Sequence, residues 1–404
     1  MSEPRHPEGG SATPRHPEEL RRPGDEGSAV GRFRRNRVVR SVFRVGWPRT
    51  RPQRLQAMLS SLVLHVHPTR VRAHVLRPGY TLGLGLVGFC LFLVLTVTGL
   101  ALMLYYVPHP DAAYRSMKDI QYAVTFGMFL RNAHRWAAHA MVAVVFLHMC
   151  RVFFTGSYKP PRELNWVVGV LLLLLTLALS FTGYLLPWDQ LAFWAITVGT
   201  AIAAYFPVLG PQVRYLLLGG HEIGQAALLR FYVLHCLILP LATAFLVALH
   251  FWRIRKDGGL SAPADGRHRR VPAWPHLVFR ELLVLLLVLV VIQAAALLFD
   301  APLEEIADAS RTPNPAKAPW YFLGLQELVH YGAILGGVVV PTVLVLALLV
   351  LPYLDTDPRG VGVWFAPERR LANGVFAALA LAVVALTVIG TFFRGPNWAW
   401  VWPW

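Results

Sequence analysis

The sequence predicts an all-α fold, a polytopic bundle of about seven transmembrane helices. Three observations carry this. Of 404 residues, 55% are hydrophobic and 15% charged, a balance found in membrane proteins rather than soluble domains. Seven stretches are long enough to cross a hydrocarbon core of about 30 Å. They are apolar all round, whereas a soluble helical protein shows apolar stripes against polar faces.

The first 54 residues are a separate material, rich in Pro, Gly, Ser and Arg, with nine arginines and no acid between Arg32 and Arg54. No apolar signal-peptide core precedes them. The segment reads as a disordered basic tail resting on anionic lipid, and much of the net charge of +16 reflects this tail and the loops. Without aromatic interleaving or a nucleic-acid motif, nucleic-acid binding is not expected. Residues 55–79 form an interfacial segment, in which Leu55–Val66 reads as an amphipathic helix on the membrane surface.

The expected spans follow at Tyr80–Tyr106, Asn132–Phe154, Trp166–Leu186, Phe231–Trp252, Leu282–Leu298, Tyr331–Leu351 and Val375–Phe393. Leu282–Leu298 is the shortest, and it continues an apolar pattern on its N-terminal side. A basic tail inside, a basic loop at Arg253–Arg280 and an acidic loop at Asp300–His330 place the N-terminus inside.

The second and fourth spans carry the chemistry. Arg131–Arg151 (RNAHRWAAHAMVAVVFLHMCR) holds His134 and His148, 14 residues apart; Arg230–Arg253 (RFYVLHCLILPLATAFLVALHFWR) holds His235 and His250, 15 apart. A rise of 1.5 Å per residue separates the imidazoles of each helix by about 21 to 23 Å, one near each side of a bilayer. At 100° per residue each pair returns to roughly one face, and a kink at Pro240 absorbs the larger offset. Ionisable groups inside spans are rare and tend to be functional. Two helices side by side then offer two His/His pairs, each fit to hold a haem, in a four-helix dihaem core over residues 80–260. His139 falls well off the ligand face and reads as a packing or polar contact. Gly85 and Gly99 in the first span, and Gly169 and Gly183 in the third, repeat the 14-residue spacing. Glycine lets a flat cofactor approach the backbone, so these four are expected to wall the two haems.

Cys90, Cys150 and Cys236 lie in apolar segments and read as free thiols. No CxxCH motif is present, and three cysteines are too few for an iron–sulfur cluster.

With these residues in place, Arg77 to Trp364 resembles cytochrome b of the cytochrome bc complexes. The phrases KPPREL (Lys159–Leu164), LPWDQ (Leu186–Gln190) and HFWRIRKDG, with the 15-residue histidine spacing, are similar to the chloroplast-type protein. Residues 271–404 resemble that complex's separate small subunit, fused here as a C-terminal three-helix domain. The resemblance implies quinol oxidation at the outer face among Tyr184, Trp188, Trp194, Pro319, Trp320 and Tyr321. One electron leaves to a Rieske-type iron–sulfur protein and on to a c-type cytochrome or equivalent acceptor. The other crosses the two b-type haems to quinone at the inner face, coupled to proton translocation. It also implies a homodimer within the complex, in an energy-transducing membrane; the fused chain suggests a bacterial cytoplasmic membrane.

Two departures stand out. The family's Pro-Glu-Trp-Tyr is Ala318-Pro319-Trp320-Tyr321 here, so that carboxylate is missing; Glu327 or His330 is then either a substitute proton acceptor or structural. Gly83 stands where the chloroplast type tethers an extra haem through cysteine. Arg131 and Arg230 are placed either to pair with haem propionates or to snorkel at the interface. Arg255, Lys256 and Asp257 are placed to exchange protons at an inner quinone site, or form a solvated loop cluster. A dihaem anchor for a dehydrogenase or reductase, and a transporter with incidental histidines, remain as alternatives. The anchor does not need LPWDQ or the fused tail, and the transporter leaves the matched repeats unexplained.

Overall fold

The structure is a computed structural model and describes residues 50, 52–53, 67–263 and 269–403. Most of the basic tail, and the expected surface helix at Leu55–Val66, lie outside the described residues. The chain divides after Thr69, and the architecture below is that of the unit Arg70–Trp404.

A short strand β1 (Arg70–Arg72) precedes α1 (Leu84–Met103), α2 (Pro110–Tyr122), α3 (Gly127–Phe154) and α4 (Glu163–Leu185). Then come α5 (Gln190–Ala204), α6 (Gly210–Leu218) and α7 (Gln225–Lys256). Strand β2 (Arg270–Pro272) leads into α8 (Ala273–Leu298), α9 (Trp320–Tyr331), α10 (Leu335–Leu354) and α11 (Arg370–Phe392). Among the described residues, helices α1, α3, α4, α7, α8, α10 and α11 are the seven long and apolar enough to span a membrane. The expected all-α bundle of seven spans is what the chain forms. β1 and β2 pair antiparallel, Val71 opposite Val271, and tie the entry to α1 to the entry to α8.

Four shorter helices, α2, α5, α6 and α9, lie between the spans, and local capping accounts for two. Pro110 starts α2, where its missing N–H is no loss, and the His109 ring accepts from the Asp111 N–H at 3.3 Å. Asp189 caps α5 by accepting from Ala192 N–H at 2.9 Å.

Helix α3 packs against α1 and α4, and α7 packs against α4 and touches α1. The two histidine helices therefore face each other diagonally across a four-helix core. Helix α8 closes over α1 and α3, α10 over α4, and α9 packs on α11. Small residues make the α8 seam close: Ala133 and Ala137 of α3 meet Ile292 and Ala296 of α8, with Cys90 and Leu91 of α1 buried beside them.

Helix α7 carries one π turn, Leu234–Ile238, just ahead of Pro240. A single π turn accommodates one inserted residue. The 15-residue histidine spacing in α7 thus becomes equivalent to the 14-residue spacing in α3. Proline sets the phase here by widening the helix rather than by kinking it alone. A second π turn, Leu335–Val339, precedes Pro341 in α10.

Candidate functional site

The four histidines meet in two cross-helix pairs. The rings of His134 and His235 are 6.2 Å apart between centroids, and those of His148 and His250 are 6.5 Å apart. Two metal–nitrogen bonds of about 2.0–2.1 Å, with about 1.1 Å from each nitrogen to its ring centre, put centroids about 6.3 Å apart. Both gaps therefore suit one metal ion between two imidazoles. Among the described residues no third His, Cys, Asp or Glu joins either pair. Two protein ligands do not complete a zinc site, which takes four. They do suit a metal that brings its own planar ligand and needs axial partners.

The surroundings fit that demand. His134 Nδ1 bonds Thr98 Oγ1 at 2.9 Å, and His235 Nδ1 lies 3.1 Å from the Leu179 carbonyl and 3.2 Å from Thr182 Oγ1. Such contacts fix the rings and leave Nε2 for a metal. At the other end, Nδ1 of His148 and of His250 is buried without a partner. Each glycine of the 14-residue repeat faces one imidazole. A Cβ on Gly99, Gly183, Gly85 or Gly169 would sit 3.2, 2.4, 3.0 or 3.8 Å from Cε1 of His134, His235, His148 or His250 respectively. The glycines thus clear the imidazole rings.

The aromatic residues expected at the His134 end divide. Trp320 Nε1 donates to His139 Nδ1 at 3.1 Å, and the Tyr321 ring lies 5.5 Å from that imidazole. The Arg135 guanidinium lies 5.8 Å from the Tyr184 ring. Burial pushes the Tyr321 phenol up to about 12, against the pull of Arg135. Pro319 caps α9, and Trp194 lies on α5 with its indole N–H buried and unpaired. Trp188 instead packs into a core cluster with Tyr106, Leu185 and Ile196, at a φ of +54° that bulky residues rarely adopt. The Asp-Gln of LPWDQ is a clasp for the segment after α8. Asp189 accepts from Glu304 N–H at 3.2 Å, Gln190 Oε1 accepts from Asp308 N–H at 2.6 Å, and Gln190 N–H donates to the Glu305 carbonyl at 2.8 Å.

Residues 69–258 match the family model described as Cytochrome b/b6/petB, and residues 306–402 match Cytochrome b(C-terminal)/b6/petD. Cytochrome b6 of Heliobacterium mobile is 49% identical over 192 residues, covering 48% of this chain and 88% of that protein. The chain belongs to the cytochrome b/b6 family. Cytochrome b6 of Synechocystis sp. is 46% identical over 184 residues, 46% of this chain and 82% of that protein. A solved structure titled hyperthermophilic respiratory Complex III superposes with a TM-score of 0.70 at 28% identity, covering 79% of this chain and 85% of that one. This member of the cytochrome b family is therefore an integral membrane, electron-transfer subunit of a bc-type complex. Its b6 part and its subunit IV-like part are fused in one chain. The family implies b-type haem binding and interaction with quinone.

Some residues expected to act in this cytochrome b are committed elsewhere. Glu327 is fully buried and its carboxylate is spoken for: Arg394 Nη2 at 2.5 Å, Tyr331 Oη at 2.8 Å and Trp398 Nε1 at 2.8 Å all donate to it. Burial raises its pKa, but these bonds outweigh burial and hold the carboxyl below its usual range. These bonds lock α9 to the segment after α11 and occupy the carboxylate. His330, the other candidate, is exposed. Arg131 is buried and donates to the Ala301 and Pro302 carbonyls, both at 2.6 Å, so it pins a loop instead of facing a propionate. Arg230 is exposed and donates to the Ala226 carbonyl at 3.1 Å. At the His148 end, Arg255 and Lys256 are exposed on the last turn of α7, with Lys256 Nζ 5.6 Å from the Trp252 ring. Asp257 is buried and paired with Arg253 at 2.6 Å; burial holds its carboxyl above the usual range despite that arginine.

Among the described residues, Arg214, Arg253, Arg369 and two arginines of α3 each keep a buried guanidinium nitrogen without a partner. Arg135 adjoins His134 and has a buried, unpaired Nε; Arg151, three residues past His148, is buried with an unpaired Nη2. Sequence reasoning passed over both. The available signal was an arginine inside a span beside each ligand of α3, where charge is costly and tends to be functional.

Proposed function

We propose that this chain holds two b-type haems and is the quinol-oxidising subunit of its complex. The observation that carries this reading is the two histidine pairs, each spaced for one metal and each cleared by glycine. When bound, each haem supplies a one-electron redox centre. His134 and His235 would ligate one at the outer face, and His148 and His250 the other at the inner face. Arg135 and Arg151 would hold propionate carboxylates, since charge-assisted bonds satisfy their orphaned nitrogens. Tyr184, Trp320 and Tyr321 line the quinol pocket on the outer side. Arg253, Arg255, Lys256 and Asp257 stand at the inner end, where quinone takes up electrons and protons.

Only one of the two electrons of each quinol takes the haem path. The other leaves to a Rieske-type iron–sulfur protein and then a c-type cytochrome or equivalent, partners this chain does not encode. Protons taken up inside and released outside give the translocation. The setting is an energy-transducing membrane, a bacterial cytoplasmic membrane, with the N-terminus inside and the complex a homodimer.

The test is haem extraction with a redox-titrated absorbance spectrum of the purified complex. Two extractable b haems at separate potentials are expected. His134→Ala and His235→Ala should each remove the same haem, and His148→Ala and His250→Ala the other. One haem, or none, in the unmutated protein sinks the reading.

A further inference from the structure

Quinol oxidation releases protons as well as electrons, and a group beside the pocket has to receive them. The obvious acids and bases near the His134 end are occupied. Glu327 is neutralised by Arg394 and faces the last segment of the chain. Asp189 spends its oxygens on the backbone N–H groups of Ala192 and Glu304. Residue 318 is alanine. Tyr321, with its phenol pushed up to about 12, holds its proton at physiological pH.

His330 is exposed, whereas His139 is half-buried against Tyr321. His139 lies on α3 five residues inward of His134, about 7.5 Å along the helix and about 140° around it. It is turned away from the histidine pairs toward α9. It is half-buried, with the rings of Trp136 at 5.4 Å and Tyr321 at 5.5 Å. The Trp320 indole N–H donates to Nδ1 at 3.1 Å. An indole N–H is purely a donor, so Nδ1 carries the lone pair and Nε2 the proton. The charge acting on His139 is that of Arg135, one turn away on its own helix; α4 brings Tyr184 and α9 brings Tyr321 toward the same space. The ring is therefore a neutral base in a fixed tautomer, at the junction of the two fused parts.

We propose that His139 is the proton acceptor for quinol at this site, with Trp320 as the positioning residue that keeps its Nδ1 unprotonated. This rests on the quinol-oxidising reading above. A quinol hydroxyl takes the place of the indole at Nδ1. Its O–H bond breaks as the N–H bond forms, and His139 becomes an imidazolium; the proton of the other hydroxyl leaves with the first electron to the iron–sulfur partner. The electrons go to an iron–sulfur centre of the partner protein and to the His134/His235 haem. The imidazolium then loses its proton to the outer aqueous phase, and the indole bond re-forms.

The test uses the whole purified complex. His139→Gln keeps a side-chain acceptor for Trp320 but cannot be protonated in this range. Loss of a general base slows proton transfer by about 10²-fold or more. His139→Gln is expected to slow pre-steady-state haem reduction by added quinol by that order and to change its dependence on pH. Haem content and both midpoint potentials should stay unchanged. His139→Glu is expected to restore part of the rate with an altered pH profile. A His139→Gln complex that reduces haem at the unmutated rate with the unmutated pH profile overturns the proposal. If the unmutated complex binds no haem, the quinol-oxidising reading fails instead, which the spectrum reveals before any variant is made. Should His139→Gln not assemble, Trp320→Phe frees Nδ1 and keeps the imidazole. A shifted pH profile then supports the assignment, and an unmoved one overturns it.

Discussion

Adding one methyl group at Gly183 tests the histidine pairs most directly. A Cβ there would lie 2.4 Å from Cε1 of His235, 2.9 Å from Nε2 and 3.0 Å from Nδ1. Carbon contacts are most favourable at about 3.5–4.0 Å, so the ring would have to retreat by about 1 Å. Retreat breaks the contacts that aim it, because Leu179 and Thr182 hold Nδ1 from the same helix as Gly183. Overpacking of this kind costs about 1–3 kcal/mol. At about 1.4 kcal/mol per factor of ten, that weakens haem binding by about 5- to 150-fold. Alanine's higher helix propensity returns at most about 1 kcal/mol. Gly169 is the internal control, since its added Cβ would lie 3.8 Å from Cε1 of His250, an ordinary contact. Gly183→Ala should therefore lose the His134/His235 haem and keep the other, while Gly169→Ala keeps both. Gly99→Ala and Gly85→Ala should fall between. Haem per chain, counted by extraction and assigned by redox difference spectra, measures the series. Equal loss from both alanine variants, or greater loss from Gly169→Ala, would refute the claim that these glycines clear the imidazoles.

Two predictions concern the buried ion pairs. Glu327→Gln leaves Arg394 buried without its partner and should destabilise by about 3–5 kcal/mol, read as a lower Tm in detergent. Because the folded pKa of Glu327 is depressed, its contribution is complete above the unfolded value of about 4.3 and is lost as pH falls through the lower folded value. The Tm gap between the unmutated protein and Glu327→Gln should accordingly close below about pH 4; a gap independent of pH would count against the ion pair. Lys159 is almost fully buried and bonds Asp355 at 2.8 Å and the Asp357 carbonyl at 2.6 Å. Lys159→Met should lower Tm, and Lys159→Met with Asp355→Asn should recover part of the loss. Additive effects in that double-mutant cycle would show that the two do not act as a pair.

What the sequence reveals here depends on how far apart the partners are. Hydrophobic length located the seven spans, and helical period placed the four histidines on facing surfaces, because both are properties of one segment. The π turn at Leu234–Ile238 was half visible: the extra residue and Pro240 signalled a local irregularity, but not its form. Contacts between distant segments were not legible. Arg131 looked free at a membrane interface because its acceptor carbonyls lie 170 and 171 residues away. Glu327 looked like an available carboxylate because Arg394 is 67 residues further on. His139 was expected to make a packing or polar contact, yet nothing in its own span points to Trp320, 181 residues later.

These long-range bonds share a geometry that bears on why the two parts work as one chain. At the His134 end, Arg131, Asn132, Asp189 and Gln190 of the first part all bond the segment 300–308. At the His148 end, Lys159 bonds Asp355 and Asp357, Arg369 donates to the Phe153 carbonyl, and β1 pairs with β2. The second part is thus fastened at both ends of the four-helix core, not merely joined by the linker. Helix α9 belongs to the second part, packed on α11 and locked by Glu327 and Arg394. The Trp320–His139 bond is therefore made across the junction. Loosening either fastening moves α9 relative to α3 while leaving the histidine pairs, which belong wholly to the first part, in place. A weakened clasp, such as Gln190→Ala, should accordingly depress quinol-driven haem reduction without changing haem content. That separation distinguishes a pocket built by docking two parts from one built within the haem-binding core.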